Sequence, residues 1–327
     1  MHVNFRKKLL RSLFWFMTVA VALYALGRLY YATTGGFTIG NITHPLPYNS
    51  SWAISFHPSE EQAFINQVVT TPYHYLGKGC QAYVFESSDG QYVMKFPKYQ
   101  KFRPTIWLDA FSFIPFIDNM RHNKVISKKK KLESMFVGWK IAFENLNEES
   151  GVVYLHLNKT AYLNKKLLLI DKIGIKHTLN LDDYEFMIQR KASLLCPTIK
   201  EMMAVNKTEE TKALLDTLLY MILNEYKQGF ADNDHALMQN TGIYKGKPIH
   251  IDVGQFVRNL SVKNSPTYHQ EIFNKTWKFR NWLEAHYPEL AKHLHGRLEE
   301  IIGKENLLNM KPILNKADVG VLSHQEF

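Results

Sequence analysis

The sequence predicts an α+β fold of two lobes, a small one built on strands and a larger helical one, preceded by a single membrane-spanning helix. Three observations carry this. The β-rich runs Tyr83-Val84-Phe85 and Tyr92-Val93-Met94-Lys95-Phe96 flank Ser87-Ser88-Asp89-Gly90, whose Asp-Gly pair marks a hairpin. From Glu209 to Tyr226, Leu214, Leu215, Leu218, Leu219, Ile222 and Leu223 recur at helical spacing, with Gly229 just past the end. Near the start, the sixteen residues from Ser12 to Gly27 carry no charge.

That uncharged stretch makes a helix about 24 Å long, a little short of the roughly 30 Å hydrocarbon core. Arg11 and Arg28 can snorkel from its ends, and Leu29, Tyr30 and Tyr31 extend it. Thr33-Thr34-Gly35-Gly36, Pro45, Pro47 and Asn49-Ser50-Ser51 then read as a linker leaving a membrane. A membrane anchor is therefore the expectation. A cleaved signal peptide ending near Ala25-Leu26-Gly27 and a soluble core helix are its rivals. Arg6, Lys7, Lys8 and Arg11 before the span predict a cytoplasmic N-terminus in a single-pass protein. Six Asn-x-Ser/Thr sequons, at Asn41, Asn49, Asn158, Asn206, Asn259 and Asn274, lend weak support to a lumenal domain.

Beyond the linker, Ser59-Glu60-Glu61-Gln62 reads as a capping box opening a helix to about Thr70, stopped by Pro72. After the hairpin, Thr105 to Ile117 holds many aromatics and one charge, enough for interfacial membrane contact or for packing on the small lobe. Met135, Phe136, Trp139, Ala142, Phe143 and Leu146 lie at helical spacing in a helix expected from about Asn123. Strands are expected at 152–157, 167–173 and 184–189. Two or three amphipathic helices from Tyr268 onwards gather Trp277, Trp282, Leu290, Leu294, Leu298 and Ile302. The expected divisions are an anchor over 1–31, a linker over 32–58, a small lobe with an insertion over 59–190 and a helical lobe over 191–327.

Composition excludes several classes. Of 327 residues, 46% are apolar and 13% aromatic, with 17 Gly and 12 Pro, so the chain can bury a core and is neither disordered, collagen-like nor coiled coil. Cys80 and Cys196, alone and outside any CxxC spacing, exclude a disulfide scaffold and a structural zinc site. The net charge of +10 fits nucleic acid, an anionic membrane or an anionic substrate. No zinc finger, RNP motif or long basic helix accompanies the clusters at 6–11 and Lys128 to Lys131, so no nucleic acid is expected. The second cluster faces anionic lipid or phosphate, or is a solvated helix start.

Two segments carry chemistry. Leu76-Gly77-Lys78-Gly79-Cys80-Gln81-Ala82-Tyr83-Val84 lies where the first strand turns into the second, and glycines there let backbone N–H groups approach a polyphosphate. Eleven residues after Val84, Lys95 ends an apolar strand run, where a cation needs an anionic partner. Later, Gly229-Phe230-Ala231-Asp232-Asn233-Asp234 opens a polar loop through Gln239 and Asn240, and a hairpin leads to Asp252-Val253-Gly254.

From about Tyr73 to Phe256 the chain resembles the protein-kinase-like superfamily, in which a helix ends in Gly-x-x-His-Arg-Asp and a strand pair delivers Asp-Phe-Gly. The resemblance implies ATP and Mg²⁺ as cofactors and a hydroxyl acceptor. It implies Gly77, Gly79, Ala82, Val84 and Lys95 around the nucleotide, Lys95 as phosphate clamp, Asp234 as catalytic base and Asp252 as principal metal ligand. Asp232 is the reserve base. Asn240 is the second metal ligand, one residue later than usual, with Gln239 in the regular position. The carboxylate paired with Lys95 is Glu133 or Glu144, which share a helix face, and Glu144 is preferred for its distance from the next strand.

Three departures matter. The third loop glycine is Ala82, Asp232-Asn233 replaces the His-Arg pair, and no Ala-Pro-Glu follows Asp252. Without that arginine, no switching by a phosphorylated activation loop is expected. The expectation is a membrane-anchored phosphotransferase acting on a hydroxyl, such as that of a sugar or lipid-linked molecule, with membrane lipid as a further partner. A catalytically inactive, membrane-tethered pseudokinase is the alternative. A DxD glycosyltransferase reading of Asp232-Asn233-Asp234 leaves the glycine loop, Lys95 and Asp252 unexplained. A domain outside a bacterial cytoplasm would find little ATP, whereas a secretory-pathway lumen could supply it.

Overall fold

Strand formation in the first half follows inward-facing aromatic and branched residues. The computed structural model describes residues 2–55 and 58–313; residues 1, 56–57 and 314–327, the last within the expected helical lobe, lie outside it. Seven strands form one sheet: β1 Tyr73–Lys78, β2 Ala82–Ser87, β3 Tyr92–Pro97, β4 Val152–His156, β5 Lys166–Ile170, β6 Lys176–Asn180 and β7 Phe186–Arg190, in the order β4-β7-β3-β2-β1-β5-β6. All neighbours are antiparallel except β1 and β5, where Tyr73 stands beside Leu169. One face buries Tyr73, Tyr83, Phe85, Phe96, Tyr154 and Phe186. The Asp-Gly hairpin is present, with Gly90 at φ +68° between β2 and β3.

The N-terminal helix α1 runs His2–Thr34, further than its uncharged stretch suggested. Its apolar portion, Arg11–Thr34, is long and apolar enough to cross a membrane, and at 24 residues it reaches about 36 Å. The segment after it is not a linker. Phe37 and Ile42 are buried in the sheet core, and Trp52 packs at 5.0 Å on Phe136. Gly35 and Gly36 adopt φ +68° and +75° where α1 stops, a conformation costly for other residues.

Helix α2, Pro58–Val68, covers the sheet, so Ser59 sits inside the first turn rather than at the cap. Helices α3, Ile106–Ala110, and α4, Pro115–Glu144, follow β3. Helix α4 begins eight residues before its expected start near Asn123, because its first half packs on little and needs no apolar stripe. Its second half buries Leu132, Met135, Phe136, Trp139 and Ala142 between the lobes. A single turn, α5 Asn147–Ser150, leads to β4.

The helical lobe holds α6 Leu195–Ala204, α7 Thr208–Gln228, α8 Leu237–Asn240, α9 Ser265–His286, α10 Pro288–Ile302 and α11 Lys304–Asn309 around Leu215, Leu218, Ile222, Phe279 and Leu294. Between α7 and α9 lie short strands: β9 Phe230–Asp232 pairs with β12 Phe256–Arg258, and β10 Thr241–Tyr244 pairs with β11 Lys247–His250 and with β8 Ser193–Leu194. This mixed sheet-plus-helix architecture fits a bilobal kinase-like fold.

Four sequons have local structural roles. Asn41 and Asn158 donate their side-chain amides to the carbonyls of Gly36 and Asn49, and Asn49 and Asn259 cap short helical turns. Those roles account for asparagine at these positions without glycosylation.

Candidate active site

The turn between β1 and β2 is closed by the Gly79 N–H donating to the Ala82 carbonyl at 2.9 Å, after a register slip between Tyr75 and Gly77. A Cβ on Gly77 would meet nothing within 4 Å, and one on Gly79 would come nearest Asp252 Oδ2, at 3.7 Å. The glycine loop thus lies directly against Asp252. Ala82 is buried where β2 begins, and Val84 pairs across the sheet with Lys95.

Lys95 sits in β3, every residue of which is buried, and its Nζ donates to the Ile251 carbonyl next to Asp252. Burial pushes its pKa down to about 8, against the pull of Asp252. Burial also raises the Asp252 carboxyl; Lys95 and the Gly254 N–H oppose the rise, and Asp232 and Asp234 add to it. Lys98, buried beside the loop, donates from Nζ to the Gly79 carbonyl. Burial first, then Lys101 and Lys78, bring it down to about 8. Two lysines held below their ordinary range by burial thus lie beside a turn in which Gly77 and Gly79 leave the backbone uncovered.

On the opposite side, Gly229 ends α7 at φ +86° and the chain passes straight into β9. Asp232 is buried and accepts from Lys275 Nζ at 2.8 Å and from the Asp234 N–H at 3.0 Å. That engagement makes Asp232 a support. Asp234 is the more open of the two, its Oδ1 accepting the Ala236 N–H at 3.0 Å. Asn240 is buried and its carbonyl accepts the Ile251 N–H at 2.7 Å, beside Asp252; its Nδ2 has no hydrogen-bond partner. His250 pairs with Glu225 at 2.6 Å, both buried, and the His250 carbonyl accepts from Gln189 at 2.7 Å. This network pins β11 just before Asp252.

The structure therefore brings Lys95, Asp252 and Gly79 together, with Asp234 in electrostatic range and Asn240 one residue removed. It does not bring in Glu144. That residue is 42% exposed at the end of α4 and lies 3.7 Å from Lys140, while Glu133 pairs with Lys129 at 3.9 Å. The face that α4 turns toward the site is apolar, made by Met135, Gly138, Trp139 and Ala142, so its carboxylates point away; the acid beside Lys95 is Asp252. A Cβ on Gly138 would stand 2.7 Å from the Val253 carbonyl and 3.0 Å from the Gly254 backbone. Gly138→Ala should therefore displace Asp252: about 1–3 kcal/mol lower stability on denaturant unfolding, with a loss of nucleotide affinity.

Sequence reasoning missed Lys275, Glu225 and His250. Lys275 carried a signal, since it lies on the apolar stripe of α9 with Ile272, Thr276 and Phe279. Glu225 and His250 did not, because their pairing needs the tertiary fold. A cleft of about 610 Å³ opens elsewhere, between α6, α7 and the β10–β11 turn, lined by Ser193, Thr198, Glu201, Glu210 and Lys245, and contains none of these residues.

For a divalent cation, Asp252 and the Asn240 side-chain oxygen are hard donors suited to Mg²⁺. Among the described residues no group of three or more His, Cys, Asp or Glu is placed to hold a metal, so phosphate oxygens and water would complete its shell.

No known protein family and no curated protein matches this chain. Solved structures do. The bifunctional kinase-methyltransferase WbdD matches at 14% identity over 74% of this chain and 46% of its own, with a TM-score of 0.33. A second WbdD structure matches at 14% over 75% and 48%, TM-score 0.35. The Rv3197–erythromycin complex from Mycobacterium tuberculosis matches at 12% over 86% and 74%, TM-score 0.31. The chain spans about half the length of the WbdD chains. Its own two-lobed architecture and the order of its elements fit a kinase-like fold.

Proposed function

We propose that this chain is a membrane-anchored phosphotransferase of the protein-kinase-like superfamily, moving the γ-phosphoryl group of ATP to the hydroxyl of a sugar or lipid-linked acceptor. The observation that carries this is Lys95 and Asp252 side by side beneath Gly79, with Asp234 facing them from the other lobe. Backbone N–H groups of residues 77–82 and the Lys95 ammonium hold the phosphates. Asp252 and Asn240 would hold Mg²⁺, which when bound neutralises phosphate charge. Asp234 accepts the proton of the attacking hydroxyl as its oxygen bonds to the γ-phosphorus and the bond to the bridging oxygen of ADP breaks. Lys275, through Asp232, fixes the backbone that carries Asp234.

The pseudokinase is the second reading, favoured by Lys95 having no helix glutamate and by the extra residue before Asn240. The two separate in the full-length protein reconstituted in lipid nanodiscs; the anchor cannot be trimmed at residue 50 because Phe37 and Ile42 belong to the small-lobe core. An active enzyme binds Mg·ATP and turns it over with a suitable acceptor, and Asp234→Ala lowers kcat about 10²- to 10⁴-fold with nucleotide affinity retained. Binding without turnover dependent on Asp234 supports the pseudokinase, and absence of binding rejects both. Protease accessibility of the large domain in sealed membranes tests the proposed cytoplasmic N-terminus.

A further inference from the structure

Two apolar elements leave the small lobe from adjoining points. The first is α1, whose exit is fixed by Lys78 donating to the Gly35 carbonyl at 2.7 Å and lying 3.6 Å over the Tyr31 ring. Lys172 also donates to the Ala32 carbonyl at 2.9 Å. The second is an arm made of α3 and the first half of α4. Its root is tied to the same place: Arg103 donates to the carbonyls of Gly40, at 3.1 Å, and Thr43, and Lys128 donates to that of Lys101 at 2.8 Å.

The arm is a built structure. Leu108 is buried, and Arg121 clasps Asp109 at 2.7 Å and Asp118 at 3.5 Å, folding α3 back on α4. Yet its tip covers nothing. Trp107, Phe111, Phe113, Ile114 and Phe116 are exposed, Phe113 to 76% and Phe116 to 72%. Packing on the small lobe, the alternative that the sequence left open for this segment, does not account for these five side chains. Five large apolar side chains within ten positions exceed what a water-facing surface carries singly. Behind the tip the charge is positive: residues 105–131 contain six Arg and Lys against two Asp. The apolar run is too short to span a bilayer. Aromatics ahead of lysines match a headgroup boundary bearing negative charge.

We propose that this arm is a second membrane contact, its aromatic tip seated in the interface and Lys124 and Lys129 to Lys131, all exposed, against anionic headgroups. The proposal shares with the proposed function only the reading of α1 as a membrane anchor. With two contacts rather than one, the domain is held in a fixed attitude instead of swinging about the end of α1.

The test places an environment-sensitive fluorophore at Phe113→Cys in full-length protein carrying Cys80→Ser and Cys196→Ala. The protein is reconstituted in nanodiscs of phosphatidylcholine alone or with about one third phosphatidylserine. Labels at Val19→Cys, in α1, and Tyr220→Cys, exposed on α7, report the anchor and the aqueous limit. The expected result is quenching of the 113 label by brominated lipid, with emission shifted to shorter wavelength and strongest in anionic discs, while the 220 label is unchanged. Replacing Lys124 and Lys129 to Lys131 by Gln should remove the preference for anionic lipid, each lysine near the surface contributing about fivefold. A 113 label that stays aqueous in both discs overturns the proposal. So does a blue-shifted label that brominated lipid does not quench, which assigns the tip to a protein partner. If the Val19 label alone escapes quenching, the anchor reading fails and the arm still stands on its own label.

Discussion

Replacing Lys95 by Met should abolish nucleotide binding and at the same time make the unliganded protein more stable. The lysine occupies a wholly buried strand, and its pKa is driven down to about 8 by burial, against the attraction of Asp252. Unfolded, the same ammonium returns to its ordinary value near 10.5. Between pH 8 and 10.5 the unfolded chain therefore binds a proton that the folded chain does not, so stability rises with pH across that window. Below pH 8 both states carry the charge and the folded one bears the full cost, at most roughly 3 kcal/mol for a shift of this size. Met fills similar volume without the charge; against this stand the lost hydrogen bond to Ile251 and the lost attraction for Asp252, whose carboxyl burial already raises and which can take up a proton once the lysine is gone. At pH 7 the melting temperature should rise by a few degrees, and the rise of stability with pH from 8 to 10.5 should disappear. A drop in melting temperature at pH 7 would show that the attraction between Lys95 and Asp252 outweighs the cost of burying the lysine. An anionic ligand should reverse the native bias, taking up a proton when it binds above pH 8, which calorimetry in buffers of different ionisation enthalpy reads directly.

How far the sequence foretold this depends on how local each feature is. The β2–β3 hairpin and α7 with its terminal Gly229 are each spelled out within a few residues, and the fold has both where the pattern implied. Helix α6 escaped because Leu195 and Ile199 alone face fully inward and Pro197 lies in its first turn. Strand β6 escaped for the same kind of reason, an edge strand with only Leu179 buried. Helix α1 outruns its expected end at Tyr31 by three residues, up to the glycine pair Gly35-Gly36 that stops it. Glu144 falls outside the site because periodicity ranks the residues of one face together and is silent on what that face meets; here the inner face meets the Val253 and Gly254 backbone and must be small and apolar. The segment after α1 reads as linker through its Pro, Gly and Ser content, yet Phe37, Ile42 and Trp52 within it supply core.

Lys275→Met should be the most damaging single change in the helical lobe, and its rescue should separate folding from catalysis. Lys275 and Asp232 are each nearly inaccessible and stand 2.8 Å apart. Burial alone would lower the lysine's pKa, yet Asp232, Glu225 and Asp234 hold it above the ordinary value. Deleting the cation leaves Asp232 charged and unpaired in the interior, a loss of about 3–5 kcal/mol. Asp232 also sits opposite Phe256 in the β9–β12 pair and accepts the Asp234 N–H, so the disturbance lands on the residue assigned as base. Changing both partners, Lys275→Met with Asp232→Leu, removes the unpaired charge and should return most of the stability, as two non-additive substitutions in contact. Turnover should not return, because a leucine side chain at that position offers no acceptor to the Asp234 N–H. Urea unfolding and single-turnover kinetics on the three variants decide it. Full recovery of turnover in the double variant would show that the pair only braces the fold, whereas stability regained without turnover places this buried ion pair where the missing arginine of the loop would have acted, as the fixed support of the catalytic carboxylate.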